Sequence, residues 1–150
     1  MKGQRALRRG RCSIAGQVVL LTSVTDARRH RFVEFEPARA ACQAIHEHPS
    51  WRSTRCLAWV LMPDHWHGLV ELGAGDTLAG YMNALTACVS KAVRRERIAA
   101  GPIWQRGYHD RALRSDEHLQ VAARYLVHHP VRAGLVTRVG DYPYWNAIWL

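Results

Sequence analysis

The hydrophobic positions of this chain follow the two periods that distinguish strands from helices. An unbroken run of aliphatic and β-branched residues over 17–25 predicts a first strand, and its lack of alternation predicts a central place in a sheet. A second strand is predicted over 55–61, and the turn Met62-Pro63-Asp64 leads into a third strand that begins at His65. The second and third strands are therefore expected to form a hairpin.

Two segments have apolar residues at helical spacing. The first helix is expected to begin near Pro37 and to end near His48. The second helix follows a capping residue at Asp76 or Thr77. Its apolar stripe consists of Leu78, Tyr81, Met82, Leu85, Val89 and Ala92.

The last third of the chain predicts one more strand and one more helix. The strand is expected over 103–113, interrupted by Gly107, where the glycine marks a bulge. The helix is expected to start at the N-cap Ser115. It should end shortly before Pro130, because a proline disfavours helical geometry at the preceding residue, His129.

The predicted order of elements is strand, helix, strand, strand, helix, strand, helix. This order is typical of an α+β fold, a ferredoxin-like (RRM-like) sandwich in which helices cover a mainly antiparallel sheet. With 150 residues and no repeat or linker, the chain 1–150 is expected to form one domain. A basic N-terminal arm over 1–16 and an aromatic tail over 137–150, docked on the domain, complete the prediction.

Composition narrows the class of partner. A hydrophobic share of 48% with 22% charged residues is typical of a globular protein. The net charge of +9 favours polyanions, and nucleic acid first among them, through counterion release. The four cysteines form no C-x-x-C pair, so core thiols in a reducing cytoplasm are expected. No segment has the length and hydrophobicity of a signal peptide or a membrane span.

Basic residues concentrate in three places. The N-terminal arm is either a solvated tail or a segment that lies along phosphates, and the polar side of the second helix is open to the same two interpretations. In the predicted strand over 103–113, the mixture of Arg and Tyr suits contacts with phosphates and unpaired bases. The DNA-binding candidates are Arg5, Arg8, Arg9 and Arg11 in the arm, Lys91 and Arg94 in the helix, and Arg106, Tyr108 and Arg111 in the strand.

The start of the third strand carries the most specific chemistry. Because side chains alternate between the two faces of a strand, His65 and His67 point the same way and Trp66 points the opposite way. Two imidazoles on one face are half of a metal site. The alternative interpretation is a pair of ordinary histidines at a strand end.

A third metal ligand has to come from another element, and the last helix offers one. Tyr125 and His129 are four residues apart, so they lie on one face of a helix. If this helix crosses the sheet face that bears His65 and His67, a phenol and a third ligand reach the metal together. Such a site suits attack of a tyrosine oxygen on a phosphodiester, with a divalent ion as Lewis acid. The phosphotyrosine product keeps the ester bond energy, which favours strand transfer over degradation.

Missing residues exclude two other chemistries that use an H-x-H pair. The metallo-hydrolase pattern H-x-H-x-D-H needs Asp and His where this chain has Leu69 and Val70. The zinc deaminase pattern needs a Glu two residues after a His and a later P-C-x-x-C, and the sequence has neither.

Several motifs in the same order resemble one known family. The segment 62–67, Met-Pro-Asp-His-Trp-His between apolar strands, is similar to the H-U-H motif of the single-tyrosine transposases. Within that group, later segments resemble the REP-associated tyrosine transposases of bacteria, and the resemblance runs from about Val18 to the C-terminus. These later segments are 103–111, 123–126, 130–136 and 140–145.

This resemblance implies a ferredoxin-like domain that binds single-stranded DNA at the foot of palindromic hairpins. It implies that the domain cleaves and rejoins DNA through a covalent 5′-phosphotyrosine, with Mg²⁺ or Mn²⁺ as cofactor. His65 and His67 match the metal ligands of the family, and Tyr125 matches the nucleophile. The family commonly has Asn before the proline, where this chain has His129. An imidazole there either shifts the metal preference toward Mn²⁺ or Zn²⁺ or is no ligand at all.

Two other functions remain open at this point. One is a catalytically idle protein that binds hairpin DNA or RNA, and the other is a metal-dependent nuclease in which water attacks in place of tyrosine. The expected partner is single-stranded or hairpin DNA in the bacterial cytoplasm, in association with the nucleoid. A monomer and a homodimer are both compatible with the sequence, and no membrane partner is expected.

Overall fold

The computed structural model describes residues 14–48, 50–96, 101–114 and 117–149, and the strands within them form one antiparallel sheet. The order along the sheet is β2-β3-β4-β1-β5, and β6 pairs with β3. The strands are β1 (Val18–Val24), β2 (Ser50–Trp51), β3 (Thr54–Met62), β4 (His65–Glu71), β5 (His109–Ala112) and β6 (Trp145–Ala147). The predicted β3–β4 hairpin and the central position of β1 are confirmed.

Helices cover both faces of this sheet. The helices are α1 (Phe35–Glu47), α2 (Leu78–Arg95), α3 (Leu119–Val127) and α4 (His129–Arg132), with single 3₁₀ turns at Asp26–Arg28 and Val139–Asp141. The core strands β1, β3, β4 and β5 with α1 and α2 follow the ferredoxin-like order, so the predicted α+β class is confirmed. No helix within the described residues is long and apolar enough to cross a membrane.

Successive side chains of β4 point to opposite faces of the sheet, and each face packs in a separate hydrophobic core. Trp66 is buried against α1 and α2, together with Leu21 and Tyr81. Leu69 faces the other way and packs with Leu126 of α3. His65 and His67 have the same parity as Leu69, so both imidazoles lie on the α3 face of the sheet.

The segment after α4 returns to the α3 face. Tyr142 is buried in the core under α3, and its hydroxyl donates a hydrogen bond to the backbone oxygen of Leu61. The short strand β6 then pairs with residues Ala58 to Val60 of β3. These contacts close the edge of the sheet beside β3.

The predicted strand over 103–113 is wrong in its extent. Trp104 makes only an isolated bridge to Thr25, and regular pairing with β1 begins at His109. Gly107 between them has a φ of 84°, in the left-handed region that glycine adopts readily, and the pairing with β1 is interrupted there.

The predicted start of the last helix is wrong, whereas its predicted end near His128 is confirmed. Helix α3 begins at Leu119 with His118 as its N-cap, whereas the predicted cap Ser115 lies outside the described residues. At the other end, His129 is helical, because it opens α4 directly after α3. Pro130 falls in the first turn of α4, where the N–H that proline lacks has no intrahelical partner in any case.

The start of α2 is tied to the turn between β2 and β3. Of the two predicted caps, Thr77 takes the role, since its side chain accepts a hydrogen bond from the backbone N–H of Gly80. Asp76 is buried instead, and its carboxylate accepts hydrogen bonds from the Ser53 backbone N–H at 3.0 Å and the Thr54 hydroxyl at 2.8 Å.

The cysteines that the structure describes are free thiols. Cys42, Cys56 and Cys88 are partly buried, and each packs against the core under α1 and α2. Burial raises the pKa of Cys42 and of Cys56 to about 12, so both remain protonated at neutral pH. Cys12 lies outside the described residues.

Candidate active site

Three histidine rings converge on the α3 face of the sheet. His65 and His67 are the first and third residues of β4, and His129 is the first residue of α4. The ring centroid of His129 lies 5.1 Å from that of His65 and 6.1 Å from that of His67, and the two β4 rings are 6.5 Å apart. The structure therefore brings the three predicted metal ligands together.

Asp64 orients the first of these rings. Its Oδ1 lies 2.7 Å from Nδ1 of His65. Burial alone raises the pKa of Asp64, but the hydrogen bond and the charge of His65, followed by the charge of Arg28, bring this pKa below its usual range. An ionised carboxylate only accepts hydrogen bonds, so Nδ1 of His65 donates and Nε2 keeps its lone pair.

Two oxygen atoms of β1 orient the second ring. Nδ1 of His67 lies 3.0 Å from the backbone oxygen of Leu21 and 2.6 Å from the hydroxyl of Thr22. Since the backbone oxygen can only accept, Nδ1 carries the proton and Nε2 of His67 is also free to bind an ion.

Burial favours the neutral form of His67 and of His129. Desolvation, followed by the charges of His65 and His129, lowers the pKa of His67 to about 4. Desolvation also lowers the pKa of His129, and the charges of His65 and Arg132 act in the same direction. Neutral imidazole is the form that binds metals, so the chemistry of the donor set fits a divalent ion.

The three histidine rings are close together, but their nitrogen atoms do not point to one common centre. Within the described ranges, no three His, Cys, Asp or Glu side chains are already positioned to hold an ion. Side-chain movements would be required to bring three nitrogen atoms to one centre. The Nδ1 contacts of His65 and His67 leave their Nε2 atoms available, as an imidazole metal site requires.

Tyr125 lies on the exposed side of α3, with 64% of its surface accessible. Its ring faces the guanidinium of Arg132, whose central carbon is 3.7 Å from the ring centroid. The tyrosine also lines a cleft of about 510 Å³ together with Leu20 and Arg111. Leu20 is two residues before Thr22, so both side chains lie on the same face of β1. Thr22 pairs with His67 of β4, and the cleft therefore lies on the same face of the sheet as His67.

The predicted DNA-binding residues fall on different surfaces. Lys91 and Arg94 line an open cleft of about 800 Å³ on α2, which covers the sheet face opposite the histidines. Arg106 is exposed, whereas Tyr108 is half-buried against the core under α1 and α2. Arg111 lies on the histidine face, where Glu117 binds it at 3.1 Å. The arm residues Arg5, Arg8, Arg9 and Arg11 lie outside the described residues.

Three residues of the site were not predicted from the sequence. Asp64 and Thr22 orient the β4 imidazoles, and Arg132 contacts the tyrosine. Asp64 is adjacent to His65, which is a local signal for a hydrogen-bonded partner. Thr22 and Arg132 had no such signal, because the register of β1 and the path of α4 bring them to the site.

An α+β sheet that presents a histidine cluster beside an exposed tyrosine defines the class of site, and comparison with known proteins gives the family. Residues 17–129 match the model of the IS200-like transposases. This match covers most of the chain and includes the cluster and Tyr125. The chain therefore belongs to the IS200-like transposase family.

Individual relatives agree with this assignment. A Haemophilus influenzae protein described as a REP-associated tyrosine transposase is 28% identical in an alignment 116 residues long, and the match covers 71% of this chain and 64% of that protein. The chain thus spans less than two thirds of this relative. The resemblance to REP-associated tyrosine transposases that the sequence predicts is confirmed by this relative and by the family match.

Two solved structures share the fold. A REP-associated tyrosine transposase bound to a REP hairpin superposes with a TM-score of 0.67 at 22% identity, covering 90% of this chain and 79% of that chain. A protein from Deinococcus radiodurans described as a transposase gives a TM-score of 0.56 at 17% identity, with 81% and 95% covered. Both likenesses support the ferredoxin-like topology.

Proposed function

We propose that this protein is a metal-dependent transesterase that cleaves and rejoins single-stranded DNA beside REP-type hairpins. The observation that carries the proposal is the convergence of three histidine rings on the sheet face covered by α3, the helix that carries the exposed Tyr125, in a chain of the IS200-like transposase family. The hairpin substrate is suggested by the Haemophilus influenzae relative and by the structural neighbour bound to a REP hairpin. Such a substrate would locate the protein at the bacterial chromosome.

His65 and His67 would hold a divalent ion, Mg²⁺ or Mn²⁺, through Nε2, with His129 as the third ligand. When bound, the ion would supply Lewis-acid polarisation of a non-bridging phosphate oxygen. Asp64 and the backbone oxygen of Leu21 keep the two β4 rings in the tautomer that leaves Nε2 available. A set of three imidazoles suits Mn²⁺ better than Mg²⁺, because Mg²⁺ prefers oxygen ligands.

Tyr125 would be the nucleophile. Its phenol loses a proton to solvent, and the resulting oxygen attacks phosphorus, so that a Tyr–O–P bond forms while the P–O3′ bond breaks. The departing 3′ oxygen takes up a proton, which balances the one lost. The cation that contacts this tyrosine is Arg132, whose central guanidinium carbon lies 3.7 Å from the ring centroid.

The cleft beside Tyr125 offers a path for the flanking strand. Leu20 and Val121 give it an apolar surface on which a base can stack, and Arg111 adds a cation at its rim. The positive net charge of +9 favours the polyanion over the whole molecule.

The proposal is tested by incubating the protein with a labelled REP hairpin that has single-stranded flanks, in the presence of Mn²⁺. We expect a protein–DNA adduct that survives denaturation. Tyr125→Phe should abolish the adduct, whereas Tyr108→Phe, a matched change at a tyrosine that packs on the opposite core, should leave it intact. Cleavage without an adduct would indicate attack by water, and binding without cleavage would indicate an idle hairpin-binding protein. Either result would overturn the proposal.

A further inference from the structure

Arg132 links the tyrosine to the histidine cluster. It is the last residue of α4, three residues after His129. Its guanidinium stacks on the ring of Tyr125, and its Nη1 donates a hydrogen bond to the Tyr125 backbone oxygen. Its charge also lowers the pKa of both His67 and His129, so the guanidinium is within electrostatic range of the two rings.

A purely structural interpretation of this arginine explains only part of its position. Stacking on an exposed aromatic ring stabilises by about 0.5–1 kcal/mol, which suffices to fix the side chain. A cation beside a cluster proposed to bind another cation is unfavourable, however, unless an anion lies between the two charges. The phosphate of a DNA strand is such an anion.

The geometry of guanidinium suits this role. The group has five N–H donors in a planar fork, and the hydrogen bond to Tyr125 uses one of them. Two others can bind two oxygens of one phosphate. Arg111, the other arginine beside the cleft, already has its Nη1 and Nη2 on the carboxylate of Glu117. Arg132 takes part in no ion pair within the described ranges.

We propose that Arg132 binds the scissile phosphate and holds it against the oxygen of Tyr125. This inference rests on the proposed function and adds to it the residue that grips the reacting group. The same guanidinium also holds the Tyr125 ring in place through the stacking contact.

The test measures the single-turnover rate of adduct formation on the REP hairpin, with protein in saturating excess. We expect Arg132→Gln to slow the reaction about 10- to 100-fold, because a charge-assisted pair of hydrogen bonds is lost. Arg132→Lys should recover part of the rate, since it keeps the charge but not the fork. Arg124→Gln is the matched control: it removes the same charge from an exposed position on α3, and its rate should equal that of the wild type.

A substrate whose scissile phosphate is uncharged distinguishes two possible roles of Arg132, which are binding of that phosphate and positioning of the Tyr125 ring. After the cleavage site is mapped, a methylphosphonate at the scissile position removes the negative charge of that phosphate. If Arg132 contacts this phosphate, the substitution Arg132→Gln and the methylphosphonate each remove the same interaction. On the methylphosphonate substrate, the rates of adduct formation by the wild type and by Arg132→Gln should therefore differ by no more than about threefold. If the variant does not fold, Arg132→Lys allows the same comparison.

The outcomes distinguish this inference from the proposed function. An unchanged rate in Arg132→Gln, or an equal effect on charged and neutral substrates, would overturn the role of Arg132 in phosphate binding while Tyr125 remained the nucleophile. The absence of any adduct in the wild-type protein would overturn the proposed function and this inference with it.

Discussion

Adjacent histidines in this protein have very different surroundings. His128 is exposed, and its Nδ1 lies 2.7 Å from the backbone oxygen of Arg124. His129, the next residue, is half-buried and meets the rings of His65 and His67. The two positions therefore form a natural pair for testing which imidazole is a ligand.

We expect His129→Ala to weaken Mn²⁺ binding at least about tenfold, because changes outside the ligand set of a metal site already have effects of that size. His128→Ala should leave the affinity unchanged. Isothermal titration with Mn²⁺, together with the Mn²⁺-induced rise in Tm, provides the measurement. Equal affinities for the two variants would show that His129 is not a ligand.

At the residue scale, the sequence predicted which histidines lie together better than it predicted the residues that orient them. The parity of a strand is enough to place His65 and His67 on one face. The contact between Thr22 and His67 depends on how β1 is aligned with β4, and a shift of one residue would have removed it. That alignment is determined by packing of the whole sheet.

At the scale of elements, the junction between β3 and α2 depends on one buried carboxylate. Asp76 holds the Ser53 backbone N–H and the Thr54 hydroxyl, and Thr54 in turn accepts a hydrogen bond from the backbone N–H of Gly73. The turn and the start of the helix thus share one hydrogen-bonded network.

Asp76→Ala should lower the free energy of unfolding by about 3 kcal/mol, because the buried Thr54 hydroxyl and the Ser53 backbone N–H both lose their carboxylate acceptor. Asp141→Ala is the control: this exposed carboxylate pairs with Arg138, and its loss should change stability by less than about 1 kcal/mol. Urea denaturation of both variants measures the difference. Similar midpoints for the two would contradict the role assigned to Asp76.

The sequence predicted the helices and strands whose apolar residues recur with a clear period. It did not predict element boundaries that depend on the backbone conformation of a single residue. The apolar stripes of α1 and α2 were sufficient to place those helices. The extent of β5 was missed because the positive φ of Gly107 interrupts a segment whose composition favours a strand. The continuation of α3 into α4 was missed because Pro130 is compatible with a first helical turn.

At the scale of the whole molecule, positive charge is spread over both faces of the sheet. Arg111 and Arg132 lie on the side of the histidines, whereas Lys91 and Arg94 lie on α2. The fold class followed from the order of elements, but this separation required the three-dimensional arrangement.

The salt dependence of hairpin binding tests the N-terminal arm. If Arg5, Arg8 and Arg9 contact phosphates, replacing all three by Gln should reduce the slope of log K against log salt concentration by about 2 to 3, as expected from counterion release. The control is the same charge change at three arginines that pair with acidic residues and do not line the cleft beside Tyr125. These are Arg39, Arg55 and Arg138. Equal slopes for the two triple variants would contradict a specific role of the arm.

The central claim is that Tyr125 becomes covalently joined to DNA. The most direct measurement is mass spectrometry of the tryptic peptides from an adduct formed with the REP hairpin and Mn²⁺. Trypsin cleaves after Arg124 and Arg132, so Tyr125 is the only tyrosine in the peptide 125–132, and Tyr108 falls in the separate peptide 107–111. We predict a nucleotide mass on the peptide 125–132. A nucleotide on the peptide 107–111, or cleaved DNA with no modified peptide, would contradict the claim.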